Sequence, residues 1–170
     1  MEFSDVVKDR YACKKFDGRK VDKKQLDDIL EAGRLAPTAQ NRQEQHIYVV
    51  ESQEGLARIY QATSCRYGAS TVLVVAFAKD NVFTYPGDKR DSGIEDASIV
   101  ATHLVLAAQN AGVDSCWVNF FDPEVLAEKL ELPKNEEVLA IIDLGYAKEG
   151  TGPLKTHSER KEISETVSHM

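Results

Sequence analysis

Four short clusters in this chain carry side chains whose types and spacing could do chemistry. The first is Arg10-Tyr11-Ala12-Cys13-Lys14-Lys15-Phe16. If its backbone is extended, Arg10, Ala12 and Lys14 share one face, because side chains alternate along a strand. Two cations on one face suit a phosphate, and an arginine can grip two of its oxygens at once. A solvated basic run has the same composition. The second cluster is Ala36-Pro37-Thr38-Ala39-Gln40-Asn41-Arg42-Gln43. Its side-chain amides and short polar groups can hydrogen-bond the edge of a planar, polar heterocycle. An ordinary helix-to-strand turn uses the same residue types. The third, Gly112-Val113-Asp114-Ser115-Cys116-Trp117-Val118-Asn119, holds the chain's single tryptophan, a residue more often core than ligand contact. The fourth is Arg160-Lys161, in a polar tail that otherwise reads as a frayed, solvated terminus.

The elements that would position these clusters can be read from local signals. Residues 3–10 form a short helix with Ser4 as a candidate cap. Residues 22–35 form a stronger helix: Asp22 can cap it, Gln25 follows three positions on, and Leu26, Ile29 and Leu30 make an apolar stripe. Ala36-Pro37 ends it, since the residue before a proline disfavours helical geometry. Residues 46–51 are a strand and 53–64 a helix. The run TVLVVAFA at 71–78 is a buried strand. Residues 79–93 are polar, carry Pro86-Gly87, and read as an excursion or a lid. Residues 94–111 make a long apolar helix through Ala97, Ala101, Leu104, Val105 and Ala108, stopped by Gly112. Residues 114–120 are a strand. Asp122-Pro123 is a cap followed by proline at the first helical position, opening a helix to about residue 132. Residues 137–145 are a further apolar strand, and the remainder is polar. By pattern alone, helices lie on both faces of a buried sheet, an α/β arrangement.

Composition narrows the classes. The length of 170 residues suits one domain with one substantial core. Apolar residues at 42% and charged residues at 29% are globular values, and no apolar run approaches the ~20 residues of a membrane helix. The net charge of −7 opposes binding to nucleic acid, which wants a basic surface. An acidic protein with focused basic spots suits a small anionic ligand better. The opening Met1-Glu2-Phe3-Ser4-Asp5 lacks a basic stretch followed by an apolar one, so the expected location is cytoplasmic. Cys13, Cys65 and Cys116 have no metal-ligand spacing and read as reduced, mostly buried thiols.

Other motifs are missing. No GxGxxG follows a strand, and there is no P-loop lysine and no GxSxG elbow. His46, His103, His157 and His169 lack ligand spacing, and His103 reads as a satisfied, buried or half-buried residue of an apolar helix.

Taken in order, the four clusters resemble the nitroreductase family of flavoproteins over essentially the whole chain. The likeness rests on an R-x-x-x-(K/R)-x-F segment (Arg10, Lys14, Phe16) and an A-P-(S/T)-x-x-N-x-Q loop (Ala36, Pro37, Thr38, Asn41, Gln43). It rests also on Leu106-Ala107-Ala108, Gly112 and Ser115-Cys116-Trp117, and on a basic pair after Leu144-Gly145-Tyr146. The resemblance implies a three-layer α+β fold, an α-β-α sandwich around a central, largely antiparallel mixed sheet, in place of plain α/β. It implies one FMN-binding domain over residues 1–170 and a homodimer with FMN at the subunit interface.

By the same resemblance, Arg10, Lys14 and one or both of Arg160 and Lys161 hold the flavin phosphate. Tyr11 and Ala12 line the ribityl and ring region. Pro37, Thr38, Ala39, Asn41 and Gln43 come from the partner subunit, and Cys116, Trp117, Val118 and Asn119 pack on the isoalloxazine. The implied activity is ping-pong hydride transfer from NAD(P)H to a small-molecule acceptor such as a nitroaromatic or quinone, with no catalytic side chain assigned. The alternative is a flavin-binding sensor or carrier without turnover. Three positions depart from the pattern: Ala12 replaces a common serine, and Glu44-Gln45 stand where Pro-Trp often follows. Residues 79–93 replace a longer helical insertion.

Overall fold

Burial with a period of two builds the centre of the molecule. The computed structural model describes every residue except Arg66 and Asp88. Four strands, β1 (Gln45–Val50), β2 (Thr71–Ala78), β3 (Asp114–Val118) and β4 (Glu136–Gly145), form one sheet in the order β1-β2-β4-β3. Every neighbouring pair is antiparallel. This corrects the α/β arrangement expected from alternating elements and agrees with the α+β fold that the resemblance implied. Sequence alternation cannot tell the two apart, because strand direction depends on where each connection lands. Among the described residues, the one parallel pairing is an isolated bridge between Ala12 and Ser115, which lays the first basic cluster beside β3.

Helices cover both faces of the sheet, so β2 is buried on both sides, as its unbroken apolar run requires. Leu73, Val75 and Phe77 of β2 and Ile142 and Leu144 of β4 face α2 (Lys23–Arg34) and α4 (Gly93–Asn110). The alternate residues Val72, Val74 and Ala76, with Ile141 and Cys116, face α3 (Gln53–Ala62) and α5 (Pro123–Lys129). The α1 helix (Phe3–Asp9) packs near α4. A bulge lies between Val75 and Ala76, where β4 carries the extra residue Leu139. Glu136 stitches β1 to β4, accepting from Tyr48 Oη at 2.6 Å and meeting His46 Nδ1 at 2.8 Å. Burial and Glu136 together hold the Tyr48 phenol above its ordinary range.

Local signals fared unevenly. Asp122 caps α5 by accepting from the N–H groups of Glu124 and Val125, with Pro123 at the first position, and Asp22 caps α2 through Lys24 N–H. Ser4 does not cap α1: the capping position is Glu2, and no side chain bonds there. Gln25 does not close a capping box. It donates to Ala111 O at 2.7 Å and accepts from Tyr146 Oη at 2.8 Å, bracing α2 against more distant chain. The β3 strand ends at Val118, and α5 ends at Lys129. His103 is half-buried, with Nδ1 on Ile99 O at 2.9 Å.

Candidate functional site

The first basic cluster leaves α1 as extended chain and bridges β3 at Ala12. Cys13 N–H donates to Ser115 O at 2.9 Å, and the Cys13 side chain is fully buried. Ala12, like Tyr11, is half-buried against the core that encloses Cys13, Lys14 is exposed, and Arg10 closes α1 half-buried. Lys14 Nζ lies 5.8 Å from the centre of the Tyr67 ring. Neither Arg10 nor Lys14 has a carboxylate partner among the described residues. Lys23, Lys24, Arg34 and Arg58 do have one. Tyr11 is half-buried, and burial, then Asp114 and Cys13, push its phenol above the usual range.

Strand alternation splits the tryptophan segment. Trp117 packs towards α4, whereas the Cys116 and Val118 side chains are buried against α3 and α5. Cys116 and Val118 therefore present only main chain to a ligand. Asn119 is exposed and accepts from Trp117 Nε1 at 2.6 Å, which fixes the indole edge. The tail folds back towards the first cluster. His157 Nε2 meets Lys8 O at 3.3 Å, and its ring meets that of Tyr11 edge-on at 6.5 Å. Arg160 donates to the carbonyls of His157 and Glu159, and Lys161 is exposed. Three of the four clusters are thus joined through Ala12–Ser115 and Tyr11–His157.

The amide loop is elsewhere. Thr38 Oγ1 accepts from Gln43 N–H at 3.0 Å, and Ala39 N–H donates to both oxygens of Asp96. Gln40, Asn41 and Gln43 have φ of 55°, 55° and 52°, the left-handed region. Among the described residues, no hydrogen bond or ion pair links Pro37, Thr38, Ala39, Asn41 or Gln43 to the basic cluster of the same chain. Residues 79–93, of which Asp88 lies outside the described residues, are fastened to this loop. Arg42 donates to the carbonyls of Asn81 and Val82, and Asn81 Nδ2 donates back to Arg42 O.

Sequence reasoning missed Asp96, Ser92, Asp143, Tyr67 and His157. Asp143 had a usable signal, a charge inside the apolar run at residues 138–145. The others are positioned only by the fold. A cleft of about 1170 Å³ runs beside α5 between Thr63, Lys79, Phe120 and Glu136, and of the candidate residues only Asn119 lines it.

The nitroreductase family model matches residues 7–67 and 64–146. The crystal structure of a nitroreductase family protein from Clostridium difficile 630 is 35% identical, covers 99% of this chain and 98% of its own, and superimposes with a TM-score of 0.92. A structure from Clostridium difficile R20291 described as an FMN-dependent nitroreductase is 27% identical over 92% of this chain and 96% of its own, with a TM-score of 0.75. An Archaeoglobus fulgidus protein provisionally named NADH dehydrogenase/NAD(P)H nitroreductase is 29% identical over 151 residues, 85% of this chain and 84% of its own. Both the matched sequence and the superposed fold span nearly the whole molecule: the chain belongs to the nitroreductase family of oxidoreductases.

Proposed function

We propose that the protein uses FMN to carry hydride from NAD(P)H to an electron acceptor such as a nitroaromatic or quinone, in ping-pong order. The observation that carries this reading is the pair of unneutralised cations, Arg10 and Lys14, on one extended segment of an acidic protein. Such cations suit a phosphate dianion. Arg10, Lys14 and one or both of Arg160 and Lys161 would hold the FMN phosphate. Tyr11 and Ala12 would line the ribityl chain. The main chain at Cys116 and Val118, with Trp117 and Asn119, would back the ring. FMN supplies the redox chemistry when bound, and the protein binds, orients and shields it. The descriptions of the Clostridium difficile R20291 and Archaeoglobus fulgidus relatives, as an FMN-dependent nitroreductase and an NAD(P)H nitroreductase, support the cofactor and the donor respectively.

Pro37, Thr38, Ala39, Asn41 and Gln43 would reach the ring from the partner of a homodimer. Supporting this are the separation of the two halves of the site within one chain and the apolar side chains left exposed at Phe3, Leu35 and Ile94. Unpaired Cys13, Cys65 and Cys116 suit a reducing, cytoplasmic setting. Among the described residues, no helix is long and apolar enough to cross a membrane.

The test is an absorbance spectrum of purified protein, with and without added FMN, followed by NAD(P)H oxidation with a quinone. Flavin bands and turnover are expected, and R10A with K14A should give colourless protein. Full flavin in that double variant sinks the phosphate assignment. Flavin without turnover favours the sensor or carrier.

A further inference from the structure

The amide loop is held at its two ends by two buried carboxyls from different parts of the chain. At its start, Ala39 N–H donates to both Asp96 oxygens at 3.0 Å. At its end, the Glu44 side chain turns inward, and its Oε1 accepts from Ser92 Oγ at 3.0 Å. Asp96 is 4% exposed, Glu44 3% and Ser92 0%. Ser92 Oγ also accepts from Phe83 N–H at 3.1 Å, so residues 79–93 are tied into the same knot. Between the two ends, the left-handed backbone at Gln40, Asn41 and Gln43 is one that residues with a Cβ adopt at a cost. The loop keeps this shape because its ends are fixed.

Glu44 Oε2 has no hydrogen-bond donor among the described residues. Asp96 follows Ser92 by one helical turn, so its carboxyl sits on the same side of α4 as the hydroxyl that holds Glu44. Two carboxyls in contact in a buried site cannot both ionise, so one proton must lie between them. Both Asp96 oxygens accept from Ala39 N–H, whereas Glu44 Oε2 has no donor among the described residues, so Glu44 is the carboxyl left to carry the proton.

We propose that Glu44 and Asp96 form a one-proton latch that positions the amide loop, so that losing the shared proton loosens the loop's hold on its ligand. The ligand is FMN only on the functional reading above; the latch itself does not depend on it. Among the described residues, no cation is paired with the Glu44 carboxyl. Arg42, on the same loop, is engaged with Asn81, Val82 and Gln40. Asp91 accepts from Gly93 N–H, and Glu95 accepts from Tyr85 Oη. From β2, Ala78 N–H reaches only the Glu44 main-chain carbonyl. Burial first, and Asp96 second, hold the Glu44 carboxyl above its ordinary range. A raised carboxyl keeps its proton in the folded state and gives it up as pH rises, so the latch is closed at low pH and opens at high pH.

Two readouts test it on the full-length protein from about pH 5 to about pH 9. The first is the hydrogen-exchange protection factor of the Ala39 amide, measured by NMR without flavin. The second is FMN affinity, measured by flavin fluorescence. In wild type, Ala39 protection should fall as pH rises, and beyond the transition FMN binding should weaken by about tenfold per pH unit. E44Q keeps a hydrogen-bond donor towards Asp96 and cannot ionise, so both profiles should flatten with the loop held closed. D96A should abolish Ala39 protection at every pH; if it does not fold, E44Q decides alone. An E44Q profile that tracks wild type, or a pH-independent Ala39 protection in wild type, overturns the latch. If Ala39 behaves as expected while no FMN binds, the latch stands and the flavin reading falls.

Discussion

Asp143 and Cys116 lie directly opposite each other in the β4–β3 ladder, both turned into the core that α3 and α5 cover. Asp143 Oδ2 has no hydrogen-bond partner among the described residues. Burial pushes its carboxyl up to about 7. An aspartate in an unfolded chain titrates near 3.9, so between about 4 and 7 the folded state binds the extra proton. Stability therefore falls as pH rises through that window, and above it the deficit is constant. Asp143→Asn removes the ionisation. Its urea-unfolding free energy should lose most of this pH dependence and at about pH 8.5 exceed wild type by on the order of 3 kcal/mol. A wild-type stability that is level from about pH 5 to about pH 8.5 would count against a buried, unpaired Asp143.

The same core makes the thiols unequal. Burial, then Asp143, pushes Cys116 up to about 12, and burial also raises Cys13. Only a thiolate attacks an alkylating reagent. Cys65 is half-buried, whereas Cys13 and Cys116 are 0% and 2% exposed. Brief iodoacetamide treatment of native protein should modify Cys65 first, as read by peptide mass spectrometry. Labelling of Cys116 at the rate of Cys65 would contradict this arrangement.

What could be read from the chain divides by the range of the interactions. The Asp122-Pro123 helix start and the β2 strand are decided within a few residues, and both were legible. The direction of pairing was not, because β2 meets β4 only after α4, β3 and α5 have intervened. Gln25 suited a capping box by spacing, but Ala111 O and Tyr146 Oη, both distant in sequence, claim its amide. Of the site, the basic run from Arg10 to Phe16 stood out by its residue types, whereas strand alternation did not foretell that Ala12 packs on the same core as Cys13. Glu44 stood out in the sequence only as a departure from the family pattern. Its partner Asp96 lies on a helix beyond β1, α3 and β2, so only folding joins them.

Gly93 opens α4 where no side chain fits. A Cβ there would come within 2.3 Å of Phe77 Cε2 and 2.7 Å of Phe77 Cδ2, and Phe77 is itself 3% exposed in the core. The ring cannot swing into solvent, so the first turn of α4 must shift. Gly93→Ala should cost about 1–3 kcal/mol in thermal or urea unfolding, the usual range for overpacking. Because Ser92 and Asp96 flank this position, Ala39 protection should fall with it. A fully stable variant with unchanged Ala39 exchange would mean that the turn is softer than its contacts indicate.

Ile94, one residue into the same helix, is 58% exposed, and Leu35 at 65% and Phe3 at 71% are likewise exposed. Large apolar side chains on a monomer's surface gain by meeting another surface, at roughly 25 cal/mol per Å² buried. A dimer built across α4 would cover Ile94 and carry the amide loop, which Asp96 on that helix holds, towards the partner's basic cluster. Placing a carboxylate at this position would bury a charge in the interface without a partner, which is unfavourable by several kcal/mol. If the protein forms the proposed homodimer, Ile94→Asp should therefore sediment as a monomer at concentrations where wild type pairs. Far-UV circular dichroism should be unchanged, because the side chain is outside the monomer's core. If FMN needs both subunits, the same variant should lose bound flavin in parallel with the dimer. A monomeric Ile94→Asp that keeps its flavin would confine the site to one chain, and a variant that stays dimeric would move the interface off α4.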